Sequence, residues 1–516
     1  MQSPVDIYPY TSPETGHDRR KGNFRLIVRE EVEPGSDYAA LSHCWGTKYW
    51  DPDLTLGAST LTDLSRGKPL SCLPKTFKDA FMALERLGLQ YIWIDRLCIL
   101  QDSEADWNRE SSSMHNVFRS AFLCFAALGA ENDEGGLYFR RDPNEIKPGI
   151  VEFSLYVNSD PLVNAEEISL LHSRSFDQAT LCKRAWILQE RVLSPRTIYW
   201  GKEQVFWEGH EAHCSESQPD TDWIGAAWVR DNEFRDLGSI YERNTFKTLM
   251  PRHPVGPWPT SELHYLQWRD LVHSYSQCQL TKPRDKLVAI SAIAKQTRSS
   301  LEALGEASRY LAGIWEAQLP GALAWLVMRD SARERRPVRY RAPSWSWAAV
   351  DGEIMCPRQT YGDSLCELVS AYTTLRTDDE TGQVTDGAVT IEGALLLAAV
   401  GDVHFEPAMG RQMKAETCRE VTVFEFRYPE LLGVHGDMID LKSQPSICFD
   451  TLDDICAEVC FLPTVFENGY VLGPALVPKE GRFTRVGAIV AKVWNDNWKS
   501  GLAWLTQLPK RTVVIR

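Results

Sequence analysis

Strand-like apolar runs and helix-like amphipathic runs alternate through the N-terminal part of this chain: Tyr38 to Ser42, Phe77 to Leu87, Tyr91 to Ile94, Asp106 to Ala121, then Phe122 to Leu128. Strands joined through helices of this length return to the same sheet as crossovers, and such units build a mainly parallel sheet with helices on its faces. The expectation is an α/β domain over residues 1–215. In residues 216–335 the apolar spacing of Tyr265 to Tyr275, Asp285 to Ala294 and Tyr310 to Leu326 predicts a helical middle region. Residues 336–516 change to short β-type segments, Val389 to Gly393, Val421 to Phe426, Ile447 to Asp450, Tyr470 to Val477 and Arg485 to Val493. Gly, Pro and Asp turns separate them, which predicts a β-rich sandwich or barrel-like domain.

The composition narrows what such a chain can do. With 516 residues, 43% hydrophobic and 24% charged, it has ordinary globular usage, and its 18 Trp imply many large packed side chains. A net charge of -14 argues against nucleic acid as a partner, because phosphate binding needs a basic face, and the cluster Arg333 to Arg341 is short and interrupted. The 13 cysteines are scattered with no CxxC pair, which fits a reducing compartment better than a disulfide framework or a zinc ribbon. Met1 to Arg20 lacks the apolar core of a secretory signal, and no segment supplies about 18 apolar residues in a row. A cytoplasmic protein without a membrane span is expected.

Four segments carry chemical information. Tyr38-Ala-Ala-Leu-Ser-His-Cys-Trp-Gly46 is an apolar strand that ends in polar residues and a turn glycine, and open α/β sheets bind ligands at the carboxyl ends of their strands. Ser42, His43, Trp45 and Gly46 are therefore candidate ligand-binding residues. Ser42 and His43 cannot form a nucleophile–base pair as strand neighbours, since their side chains point to opposite faces. In the second segment Pro74 starts a helix, Phe77, Ala80, Phe81, Leu84 and Leu87 form its buried stripe, and Gly88 caps its end. The strand Tyr91 to Ile94 then delivers Asp95 and Arg96, where a carboxylate can bind ribose hydroxyls or cap a helix. Cys98 reads as a small buried hydrophobe.

The third segment begins with Asp102, Ser103, Glu104 and Asp106, acidic and capping residues that suit a helix N-terminus. Along that helix Trp107, Glu110, Met114, Val117 or Phe118, and Ala121 recur at steps of three or four, so Glu110 lies on an otherwise apolar stripe. A carboxylate there demands a cationic partner or carries a function. In the fourth, Lys183-Arg-Ala-Trp-Ile-Leu-Gln-Glu-Arg-Val-Leu193, Arg184 and Arg191 can supply cations to a cluster containing Asp95, Glu110 or Glu190, and Gln189 joins the candidates. His43, Cys44, Cys98 and His115 do not have metal-ligand spacing, so no metal is expected, and neither GxxxxGK[ST] nor GxGxxG is present.

These four blocks, in this order, resemble the fungal heterokaryon-incompatibility (HET) domain over about residues 25 to 210. The segments Trp268 to Val272, Leu280 to Ile290 and Pro343 to Ala348 resemble regions found downstream in full-length proteins of that type. Arg96 departs from the small residue frequent after the aspartate, which alters the charge of the site or occludes it. The resemblance implies a TIR-like α/β fold and a cell-death or self/non-self effector. TIR-like domains include NAD-cleaving enzymes whose key glutamate lies on a helix after the second strand, a placement that Glu110 matches best. On that basis NAD is the candidate substrate with no cofactor required, Glu110 and Asp95 are the catalytic candidates, and homo-oligomers would complete the site. Two other readings stay open: a metabolic enzyme using Asp95, Glu110 and His43 on a small organic substrate, and a non-catalytic recognition module whose C-terminal region binds a protein partner.

Overall fold

A computed structural model describes residues 8–11, 22–46, 51–142, 155–157, 160–163, 176, 179–209, 212–217, 219, 260–328, 335–357, 363–406, 418–427, 446–467, 469–492, 505 and 507–516. The chain divides into two compact units, Met1–His253 and Pro254–Arg516.

The first unit is built on a nine-stranded sheet. Its strands and helices run β1 (Tyr8–Thr11), β2 (Asn23–Ile27), β3 (Tyr38–Ser42), α1 (Leu61–Arg66), β4 (Lys68–Pro69), α2 (Lys75–Arg86), β5 (Tyr91–Trp93), α3 (Asp95–Cys98), α4 (Glu104–Ser120) and β6 (Leu123–Ala126). The hairpin β7 (Leu155–Val157) and β8 (Asp160–Val163) follows, then α5 (Ala185–Leu193), β9 (Arg196–Trp200), β10 (Val205–Gly209) and β11 (His213–Ser215). The order across the sheet is β11-β10-β9-β6-β3-β5-β1-β2-β4. Only the centre, β5-β3-β6-β9, is parallel, with Ala39 opposite both Ile92 and Leu123, and Phe125 opposite Ile198. The flanks are antiparallel, so the sheet is mixed rather than mainly parallel as expected. The reason is connection length: β9 and β10 are joined by the short turn Gly201 to Gln204, which can only make a hairpin.

Burial follows from that layout. Ala39, Ala40, Leu41, Ile92, Leu123, Cys124 and Phe125 in the central strands are all buried, the continuous apolar pattern of strands covered on both faces. Helix α2 packs Phe77, Ala80, Phe81 and Leu84 into the same core, and each large side chain contributes roughly 1.5–3 kcal/mol. Its end is a Schellman motif, with Leu89 N donating to Leu84 O and Gly88 N to Glu85 O, and Gly88 adopts φ 72°. Helix α4 starts at an N-cap, Ser103 Oγ accepting the Asp106 amide at 3.2 Å.

In the second unit α6 (Thr260–Ser276) and α7 (Val288–Ala303) confirm two of the three expected helices. The third does not form. Tyr310–Leu311 pairs antiparallel with Ile314–Trp315 instead, through a turn in which Ala312 has φ 46° and Gly313 φ 101°. That turn chemistry wins over the apolar spacing, because the Gly313 carbonyl accepts the indole N–H of both Trp268, at 3.0 Å, and Trp347, at 2.8 Å. A side chain at 313 would also collide with the Trp347 ring, whose Nε1 lies 2.6 Å from an added Cβ.

The rest of the unit is β-rich as expected, an eleven-stranded sheet between Asp363 and Ile515. An extra pairing of Tyr470–Lys479 with Arg482–Lys492 closes six of its strands on themselves, so the barrel-like expectation describes this part. Leu396, Ile447, Phe449, Val459, Phe461 and Ile489 fill its core. Four of the five predicted β segments lie within observed strands apart from Asp450, which follows one, and the fifth does so up to Lys492, with Val493 outside the described residues.

Candidate functional site

The parallel centre of the first unit brings three strand ends together. β3 ends on Ser42 and leads into His43, Cys44, Trp45 and Gly46; β5 leads into Asp95 at the first position of α3; β6 leads into a loop carrying Asp133. Strands this apolar cannot place charges along their length, so the polar residues gather just beyond their carboxyl ends.

The geometry there is specific. His43 Nε2 lies 3.2 Å from Asp133 Oδ1 and 3.8 Å from Asp95 Oδ1. Neither His43 Nε2 nor Asp133 Oδ1 has an aligned hydrogen-bond partner among the described residues, so the two meet without a well-directed hydrogen bond. Asp133 Oδ2 accepts Nη1 of Arg96, whose Nε reaches Thr55 Oγ1 at 3.1 Å and whose Nη2 reaches the Asp51 carbonyl at 3.3 Å. Asp95 Oδ2 accepts Trp45 Nε1 at 2.9 Å, and its Oδ1 accepts the Arg96 amide at 2.7 Å. Arg184, at the start of α5, donates Nη1 to the His43 carbonyl. The His43 ring also meets Phe77 of α2 edge-on at 5.0 Å.

Loop packing holds the arrangement. The Asp133 carbonyl accepts the Thr76 amide at 2.8 Å, and the Gly136 amide donates to Thr76 Oγ1 at 3.0 Å. Gly46 has φ 81°, and a Cβ there would sit 2.5 Å from Asn132 Cβ, so only glycine lets the β3 turn approach the β6 loop.

Two groups of the cluster have raised pKa values, and one of them, Glu190, titrates near neutrality. Burial pushes the Glu190 carboxyl up to about 7, against the opposing pull of Arg184 and Ser42. Glu190 is 8% exposed, and its Oε2 has no hydrogen-bond partner among the described residues. Burial lowers the His43 pKa, and Asp95 and then Asp133 more than offset it, so the net direction is upward. Cys44 is unsuited to thiolate chemistry, since burial pushes its thiol up to about 11.

Of the residues expected from sequence, Ser42, His43, Trp45, Gly46, Asp95, Arg96 and Arg184 meet at these strand ends, and Gln189 is fully buried with neither amide atom hydrogen-bonded among the described residues. Asp95 is the open edge, its side chain 27% exposed. Arg96 is turned into a clamp on Asp133 and the Asp51–Thr55 loop. Glu110 is 5% exposed, and its Oε1 accepts Arg109 Nε at 3.1 Å on the same helix, Arg109 also pairing with Asp106. Arg191 does not join the cluster but holds Glu208 with three hydrogen bonds of 3.0 to 3.1 Å, and Tyr199 donates to the same carboxylate.

Asp133 escaped the sequence reading because the turn Asn132 to Gly136 looks like a plain connection; the strand-end rule that selects Asp95, applied to β6, selects it too. Among the described residues no group of three His, Cys, Asp or Glu side chains is arranged to hold a metal ion, and no helix is long and apolar enough to cross a membrane.

Residues 38–190 match the family model described as Heterokaryon incompatibility protein (HET). The match runs from the first residue of β3 to Glu190, the span that contains every residue of the cluster. No curated protein and no solved structure matches the chain.

Proposed function

We propose that the protein acts in heterokaryon incompatibility as a cell-death or self/non-self effector, and that its α/β unit does so by cleaving the glycosidic bond of an NAD-type nucleotide at the strand-end cluster. The observation that carries this reading is Glu190, a buried carboxyl raised to a pKa of about 7, with one oxygen that has no hydrogen-bond partner among the described residues, set among Asp95, His43 and Arg184. Such a group exchanges a proton at physiological pH, as a general base must. Asp95, the most exposed carboxylate of the cluster, would take the ribose hydroxyls and stabilise the positive charge that develops on the anomeric carbon. Glu190 would accept the proton of the attacking water, so that nicotinamide leaves and ADP-ribose forms.

Glu110 remains the carboxylate that a TIR-like placement points to, and its pairing with Arg109 argues for a structural share in α4. Parallel strands β5-β3-β6-β9 with helices in their connections support the TIR-like reading. The same reading has a cytoplasmic protein and homo-oligomers that complete the site, whereas a protein partner for the C-terminal region goes with the recognition reading below.

A second reading has its own support. Ser42, His43, Asp133 and Gln189 are all nearly or fully buried, which suits a non-catalytic recognition module whose polar cluster holds the fold. The test is to incubate the full chain at high concentration with NAD and to follow nicotinamide release. Release that disappears in Asp95→Asn supports cleavage. Stable NAD with the wild-type chain overturns it in favour of recognition, and turnover of a small organic substrate that spares NAD would place the cluster in a metabolic enzyme.

A further inference from the structure

The second unit contains a cleft of about 390 Å³ between the C-terminal end of α7, the hairpin at Tyr310 and the strand Glu367–Leu375. Arg298, Glu302, Arg309, Tyr310, Tyr372 and Glu380 line it. Tyr310 is 4% exposed, and its ring packs edge-on against Trp268 at 5.6 Å and Trp315 at 5.2 Å. Its hydroxyl has no hydrogen-bond partner among the described residues. A buried hydroxyl in a well-packed site is normally satisfied, so one that is not marks a place where a bound group supplies the partner.

The cations beside it differ in what they leave available. Arg309 is engaged, its Nε donating to Glu316 Oε2 at 2.7 Å and its Nη2 to the Ala371 carbonyl at 3.0 Å. Among the described residues Arg298 donates only Nη1, to the Glu380 carboxylate at 2.5 Å, and Glu380 is 67% exposed. A guanidinium offers a fork of N–H donors suited to paired oxygens, and an exposed counter-ion is readily exchanged. Arg298 and Tyr310 line the same cleft, which brings the guanidinium and the tyrosine to one cavity.

We propose that this cleft binds a small organic anion, a carboxylate or phosphate monoester on a compact body, with its oxygens taken by Arg298 and the Tyr310 hydroxyl. Glu302 and Glu380 on the rim select against highly charged ligands, and the exposed Tyr372 ring gives a planar body a surface to lie on. The volume falls in the usual range for small-molecule sites.

Calorimetric titration of the full chain with benzoate and with phenyl phosphate tests this and separates the two head groups. One probe is expected to bind saturably, with affinity reduced about ten-fold by Arg298→Gln and about three-fold by Tyr310→Phe. Tyr310→Phe removes only the unpartnered hydroxyl and is expected to melt no lower than the wild type, so its binding can be read even if the arginine variant is destabilised. Absence of saturable binding of either probe at millimolar concentration overturns the proposal, as does wild-type affinity in a folded Arg298→Gln or in Tyr310→Phe.

Discussion

His43 Nε2 and Asp133 Oδ1 meet at 3.2 Å although they follow different strands, and the second oxygen of the same carboxylate holds Arg96. One buried carboxylate thus faces both an imidazole and a guanidinium, contributed by the ends of β3 and β5. Their mutual attraction offsets the desolvation of all three only while the set is complete.

Replacing that carboxylate is therefore expected to be costly. Asp133→Asn leaves Arg96 buried without its counter-charge and should destabilise the α/β unit by about 3–5 kcal/mol. Urea unfolding followed by circular dichroism checks this, and a loss below about 1 kcal/mol would show that the charges relax independently.

The pH dependence has a definite sign. Glu190 has a folded pKa raised to about 7, so the native state holds a proton that the unfolded chain releases near 4.5, and stability falls as pH rises between those values. His43 is raised as well, so its contribution is complete below about 6.5 and is lost as pH rises through its folded value. Relative to Glu190→Gln, the wild type should lose roughly 3 kcal/mol between about pH 4.5 and 7.5. Parallel melting curves of the two proteins would contradict the assignment.

Gly46→Ala tests the turn that brings β3 to the β6 loop. The residue sits at φ 81°, and its new methyl would lie 2.5 Å from Asn132 Cβ. Left-handed strain and the collision together should cost about 2–4 kcal/mol. The thermal midpoint reads this directly, and Asn132→Gly in the same chain should recover part of the loss.

Asp95 and Glu110 should separate in any assay of turnover. Asp95→Asn, at the open edge of the cluster, is expected to lower activity by about 100-fold or more. Glu110→Gln, which weakens the pairing with Arg109, should change activity by less than about 3-fold while lowering stability. The opposite ranking would return the chemistry to α4.

The alternation of apolar runs made the central strands and α2 legible, and the polar residues after Tyr38–Ser42 and Tyr91–Trp93 pointed to the strand ends. Edge strands were harder, because a hairpin such as Arg196–Trp200 with Val205–Gly209 has the same local pattern as a crossover strand. The helix expected over Tyr310 to Leu326 failed for a related reason: an apolar spacing of three and four also fits a hairpin and its turns, and the carbonyl of Gly313 shared by two tryptophans decided between them.

By itself the sequence determined which segments of the α/β unit could be buried, where α2 and α4 start, and that Ser42, His43 and Asp95 would lie at strand ends, since these depend on side-chain polarity and backbone freedom close to each residue. Only the tertiary structure decided the distant partners: Arg96 to Asp133, Arg191 to Glu208 and Arg184 to the His43 carbonyl. Charge pairing depends on distance in space, and a chain with several arginines and carboxylates leaves the pairing open until the strands are in register.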